Sequence, residues 1–349
     1  MTFHPPRLHC ALRRLAPLLL LAFGLGGTTS MAKPVPPPLE LLYDGDNRLV
    51  AGSVVETNPS GRVVFERKDV LDGKPRPPEK IDVRVPLAVL GTVRTGERYV
   101  FGYATGQKDP RDPLRRIANP DGAQLIVSIG LDPALFRDTP EVRAILSAAR
   151  TERGRESRRL FDLLMKALAG RDRALQNLAA GQIALDAELG ERLREHGRET
   201  VERAARSADT SPAVRASLLR SAALRPRDLG DWWQSISLDV VTNTPVDGYA
   251  TSPSDPSDLV LTALELLDQH AAKVPPDALK RWVWSPNPAL AERASLMLRR
   301  QSAALERSTI QQALADPALP AATRTFLEGH LRRLDRLDAR TKTRKDGAG

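Results

Sequence analysis

The periodicity of the side chains changes once along this chain, and that change limits what it can fold into. Between Leu39 and about Ile129, short runs rich in β-branched and aromatic residues alternate with turn clusters. The runs are Leu49–Glu56, Arg62–Arg67, Lys80–Leu87, Glu97–Thr105 and Ala123–Ile129. Ile81, Val83 and Val85 alternate with Asp82 and Arg84, the period of a half-buried strand. Asn58-Pro59-Ser60-Gly61 and Leu71-Asp72-Gly73-Lys74 read as turns between strands. From about Thr139 the texture becomes Ala, Leu, Arg and Glu at helical spacing. Strands followed by helices without alternation predict an α+β chain of two domains. A small all-β barrel or sandwich at 39–130 precedes an all-α array at 139–340.

The helical half carries a recurring start signal, a capping residue, then Pro, any residue, and Val or Leu. It occurs at Thr139-Pro140-Glu141-Val142, Ser211-Pro212-Ala213-Val214, Asn287-Pro288-Ala289-Leu290 and Asp316-Pro317-Ala318-Leu319. The polar side chain caps free amides, and Pro at the first helical position gives up a hydrogen bond that was unmade anyway. The copies lie 72, 76 and 29 residues apart, and the two long intervals read as two units of about 36 to 38 residues each. Leu160, Phe161, Leu164, Met165 and Leu168 share a face, as do Leu327, Leu331 and Leu334. A lone hairpin cannot bury such a stripe, but stacked neighbours can. The copies, two of which run on as Val-Arg-Ala, resemble HEAT-like repeats, with an ordinary helical bundle as the alternative. The stretch Asp239–Ser257 is expected to be a loop.

In the β half, Val63-Val64-Phe65, Val70-Leu71-Asp72-Gly73, Ile81-Asp82-Val83-Arg84-Val85 and Gly96-Glu97-Arg98-Tyr99-Val100-Phe101 follow in order. That succession resembles OB-fold or netrin-like barrels of secreted proteins. The resemblance implies a small closed barrel and carries no chemical motif. A netrin-like barrel would imply protease inhibition.

Residues 1–32 have the three parts of a secretory leader. Arg7, Arg13 and Arg14 precede the 13-residue apolar run Leu15–Gly27, and Ser30-Met31-Ala32 offers small residues at a cleavage site. The run falls short of the ~20 residues of a spanning helix, so a periplasmic or secreted chain that does not span the membrane is expected. Residues 33–38 (Lys33-Pro34-Val35-Pro36-Pro37-Pro38) read as a proline-rich tether. Cys10 is the only cysteine and lies in the leader, so the mature chain has neither disulfides nor thiolate metal sites. Of the net charge of +9, three arginines leave with the leader. The remainder is interspersed with acidic residues, unlike the focused stripe of a nucleic-acid binder. The basic tail at 341–349 is expected to be disordered, and with Arg340 it could make a weak electrostatic contact with the envelope.

The search for chemistry finds no nucleophile elbow, Ser-x-x-Lys or zincin pattern. His196, His270 and His330 each lie on a charged helix as surface or interface residues. Asp44-Gly45-Asp46-Asn47 begins like a calcium loop, but Leu49 stands at the sixth position and Val55 at the twelfth. A surface turn is the expectation, with no metal and no cofactor. Aromatic residues make up 4% of the chain, yet the tryptophans are paired, as Trp232-Trp233 and Trp282-x-Trp284. One ring of each pair is expected in the core. The other, with Tyr249 in the nearby loop, could line a partner groove. The reading is an exported, non-catalytic interaction protein of the bacterial envelope, binding a protein or peptide. The alternatives are a protease-inhibitor-like barrel and an unrecognised envelope hydrolase.

Overall fold

The computed structural model describes residues 35–104, 123–151, 158–246 and 257–346. The leader and Tyr249 lie outside them. From Pro36 onward the chain forms one compact unit, with a β-barrel first and a helical array after it.

Five strands close the barrel: β1 (Asn47–Thr57), β2 (Arg62–Val70), β3 (Lys80–Arg84), β4 (Arg98–Ala104) and β5 (Ala123–Leu125). The ring runs β1-β2-β3-β5-β4 and returns to β1. Only β3 and β5 run parallel; the other pairs are antiparallel. A Greek-key ring of this order fits an OB-fold-like barrel. The predicted alternation is realised, since Val63, Phe65, Ile81, Val83, Tyr99, Phe101 and Tyr103 all point inward and are buried. Phe65 and Phe101 stack with ring centroids 4.2 Å apart. The Asn58–Gly61 turn joins β1 to β2, with the Asn58 side chain accepting from Ser60 N.

Three features of this half differ from expectation. A helix, α1 (Pro38–Tyr43), precedes β1 where a tether had been expected to run through Pro38. Pro38 sits in its first turn, where a missing N–H costs nothing, and Leu39, Leu42 and Tyr43 are buried. The third run stops at Arg84, because Pro86 opens the short helix α2 (Leu87–Leu90). A sixth strand, β6 (Leu135–Arg137), extends the barrel beyond 130 by pairing with Tyr99–Phe101 of β4.

The array begins with α3 (Pro140–Thr151), and five hairpins follow. They are α4 (Arg158–Ala169) with α5 (Arg173–Leu185), α7 (Arg198–Arg206) with α8 (Pro212–Leu224), and α10 (Trp232–Asn243) with α11 (Ser257–Gln269). Then come α12 (Pro276–Val283) with α13 (Pro288–Gln301) and α14 (Ala303–Ala315) with α15 (Ala321–Asp346). Short elements link the early hairpins: a 3-10 turn at Ala187–Leu189, α6 (Gly190–Arg192), a π-helical turn at Leu193–Gly197, and α9 (Pro226–Leu229). The first helices pack in sequence as one layer and the second helices as the other. Each hairpin thus buries its stripe against its neighbours.

Three of the four capping signals begin helices. Thr139 Oγ1 accepts from Val142 N, Ser211 Oγ from Val214 N, and Asn287 Oδ1 from Ala289 N. The Ser211 and Asn287 copies open the second helices of alternate hairpins, which explains their spacing of two units. The fourth copy opens no helix. Asp316 instead ends α14, its carboxylate accepts from Ala318 N, and α15 starts after Pro320. Two further expectations are corrected. Residues 239–243 belong to α10 rather than to a loop, and α15 carries the chain in helix to Asp346 through most of the expected disordered tail.

The barrel and the array share a core. Leu49, Ala51 and Val100 point out of the barrel into the cluster that runs through the helices. A close approach brings Gly130 against Gly181 of α5, where a Cβ on Gly181 would lie 2.4 Å from the Gly130 Cα. Only two facing glycines allow the backbones this close.

Candidate functional site

A cleft of about 680 Å³ opens where the barrel meets the array. Its walls are α1, the end of α3, the start of α4 and the end of α5 with its 3-10 turn. Leu39, Tyr43, Ala149, Leu160 and Leu185 give it an apolar floor. Glu40, Asp44, Asp186 and Glu188 set four carboxylates around it, with no Lys or Arg among the described lining residues.

Hydrogen bonds hold these walls. Gln182 of α5 accepts from Leu39 N at 3.1 Å, satisfying one of the free amides of α1, and donates Nε2 to Asp186 Oδ2 at 2.8 Å. The other Asp186 oxygen accepts from Glu188 N at 2.9 Å, which fixes the 3-10 turn. Tyr43 donates its hydroxyl to Leu146 O at 2.7 Å. At the edge, Lys74 Nζ donates to the carbonyls of Gly45 and Asn47 at 2.6 Å each and so pins the turn after α1. The sequence reading left Asp44 in a plain surface turn, and the turn is there, but Asp44 also lines the cleft. Glu40, Asp186 and Glu188 were missed. The signal that could have found the site was Leu39, Leu42 and Tyr43 at helical spacing directly after a proline run.

A smaller hollow of about 230 Å³ lies on the other side of Tyr43. Arg143 and Asp69 in its lining are paired, and Arg150 donates to Leu71 O at 3.4 Å. Arg143 donates to Asp138 at 2.6 Å and to Asp69 at 2.9 Å. The Arg143 hydrogen bond, with help from Arg98, outweighs burial and holds the Asp138 carboxyl below its ordinary range, while the same pairing pushes the Arg143 guanidinium up. This is a brace between barrel and array.

The predicted tryptophans are placed as follows. Trp233 and Trp282 are buried at 2% and 0% exposure, and Trp232 and Trp284 are half-buried. Trp282 donates its indole N–H to Val241 O at 2.8 Å, Trp232 to Leu229 O at 2.6 Å, and Trp284 to Asp316 Oδ2 at 3.0 Å. The Trp233 ring packs on His270 with centroids 4.6 Å apart. Three indole N–H groups are therefore spent inside the fold, and none of the four residues lines the cleft. His196 is exposed, whereas His330 is buried at an interface, where it meets Glu306 of α14 at 2.9 Å. Among the described residues no group of three or more His, Cys, Asp or Glu is placed to hold a metal ion. No helix among them is long and apolar enough to cross a membrane.

Scans of protein-family models, of curated proteins and of solved structures each find no match to this chain.

Proposed function

We propose that this chain is a non-catalytic interaction module that holds a basic segment of a protein partner in the cleft between barrel and array. The observation that carries the reading is the lining of that cleft, an apolar floor beneath four carboxylates with no cation among the described lining residues. An extended peptide presenting Lys or Arg beside an aliphatic side chain matches both features. Among the described residues the lining offers carboxylates, the Gln182 amide and one tyrosine hydroxyl that is already donating, with no histidine, serine or cysteine beside them. The apolar floor beside the carboxylates favours binding, since it meets the aliphatic part of a basic segment and takes no part in acid–base chemistry.

The leader pattern in residues 1–32 supports placing this work in the periplasm or outside the cell. The parallel β3–β5 pairing supports an OB-fold kinship for the barrel. The capped starts of α3, α8 and α13 support a HEAT-like origin for the array.

The test is affinity capture from envelope extract with the mature chain from Lys33 and with a variant carrying Glu40→Gln, Asp44→Asn and Glu188→Gln. Asp186 is left intact because it caps the 3-10 turn. A partner held by the wild type through a basic segment and lost by the variant supports the reading. A partner held equally by both, or none at all, overturns it.

A further inference from the structure

The second unusual place lies on the connections between hairpins, where α9 packs against the π-helical turn and the start of α7. The π-turn carries Arg194, and Arg198 follows at the start of α7. Arg225 and Asp228 come from the joint between α8 and α9. Asp228 is the one carboxylate bridging the cluster, and both its oxygens are engaged, Oδ1 with Arg194 at 3.3 Å and Oδ2 with Arg225 at 3.1 Å. Arg198 meets only neutral acceptors, the carbonyls of Arg227 at 3.2 Å and Asp228 at 3.5 Å. Arg225 also donates to Ile183 O at 2.8 Å and Asp186 O at 3.0 Å, closing the end of α5. Two guanidinium groups thus share one carboxylate, and a third stands beside them on backbone carbonyls. Glu191, Glu195, Glu199 and Asp231 stand exposed on the same elements, and Glu195 lies beside His196.

Two donors of this cluster are unused. Arg198 Nε and Arg225 Nη2 are shielded from solvent and have no acceptor. Leaving such a donor unmet costs about 1–3 kcal/mol, and buried donors in folded proteins nearly always find a partner. A glycine stands close to each. A Cβ on Gly190 would lie 3.1 Å from Arg225 Nη2 and 2.8 Å from Asp228 Oδ2, and one on Gly230 would lie 3.5 Å from Arg198 Nε. Neither glycine offers a side chain that could supply the missing acceptor. Arg194, at 55% exposure, opens the cluster to solvent. π-Turns are uncommon and recur at functional sites.

We infer that Arg194, Arg198 and Arg225 form an oxyanion site that takes a phosphate group, either free or borne on a headgroup. Guanidinium forks match the several acceptor oxygens of a tetrahedral dianion. The site shares no side chain with the acid-rimmed cleft and stands or falls apart from it.

The experiment is calorimetric titration of the mature chain with inorganic phosphate at fixed ionic strength. Saturable binding of one phosphate per chain is expected. Arg198→Gln and Arg194→Gln should each weaken it at least about tenfold, the loss of one charge-assisted hydrogen bond. Arg206→Gln, which removes the ion pair with Glu202 on α7, should leave it unchanged. Arg225 is not substituted, because it closes α5. The inference is overturned if the wild type shows no saturable binding up to about 10 mM, or if both glutamine variants, folded by circular dichroism, bind as the wild type does. Sedimentation with anionic and with neutral phospholipid vesicles then separates the sources. Anionic vesicles that carry down the wild type but not Arg198→Gln identify a headgroup, and phosphate binding without vesicle binding identifies the free ion.

Discussion

At the scale of single residues, the strongest local constraint is Asp72, which lies in the turn after β2. Its side chain is fully buried and accepts from Arg48 Nε at 2.8 Å, Leu49 N at 3.1 Å and Lys74 N at 2.8 Å. Burial pushes its pKa up, but Arg48 and the two backbone amides outweigh burial and hold it below the ordinary carboxylate value. A lowered carboxylate pKa contributes stability above its unfolded value of about 3.9, and that stability is lost as pH falls through the folded value. Asp72→Asn should therefore cost roughly 2–3 kcal/mol at pH 7, and the gap to wild type should shrink toward pH 3. Melting curves at both pH values check this, and an equal gap at both would contradict it. Trp282 gives a second prediction at this scale. Its ring is wholly buried and its N–H is bonded, so Trp282→Ala should destabilise by about 3–5 kcal/mol. Partner capture by whatever fraction stays folded should be unchanged, because the ring lines no cleft. Loss of capture with wild-type stability would revive the idea of a tryptophan groove.

At the scale of elements, the contact between the loop at Gly130 and α5 decides how the two halves meet. In an open helix Gly→Ala is favourable by about 1 kcal/mol. At Gly181 the new methyl would press on Gly130 at 2.4 Å, and overpacking of that kind costs typically 1–3 kcal/mol. The second effect wins, so Gly181→Ala should lower the midpoint of denaturant unfolding, and a raised midpoint would show that the contact yields. The elements also show what a sequence makes legible. The strand positions, the inward alternation of Ile81 and Val83, and the capped starts at Thr139, Ser211 and Asn287 are local patterns and are present, though the third and fifth runs are shorter in strand, ending at Arg84 and Leu125. The fourth start failed because Asp316 serves equally well to end a helix and to cap a turn, and its neighbours decide between the two. Helix α1 was hidden because a run of prolines signals extension before it signals a first helical turn. Of the cleft, only the α1 wall left a mark, the apolar spacing of Leu39, Leu42 and Tyr43. Its walls come from residues 37–45, Ala149, Leu160 and residues 182–188, and no spacing along the chain brings those together.

At the scale of the whole molecule, one apolar cluster runs from Leu39 and Val100 to Leu334. Such continuity makes the barrel and the array a single folding unit rather than beads on a linker. All four tryptophans lie in the array, so tryptophan fluorescence reports that half. Hydrogen exchange in β1 and β4 reports the barrel. Their unfolding midpoints in denaturant should coincide, and a barrel outlasting the array would separate them. A shared core of this kind packs the walls of the junction cleft into one unit, and preorganised walls favour tight recognition of a flexible segment.

The most direct test of the account is site-specific photo-crosslinking in envelope extract from Ala187, on the cleft rim. Glu141, at an exposed position on α3 outside the cleft, serves as the control. The account predicts a crosslink from position 187 to a basic segment of one protein, absent from position 141 and suppressed by the carboxylate substitutions. Equal labelling from both positions, or a position-187 crosslink indifferent to those substitutions, would contradict it.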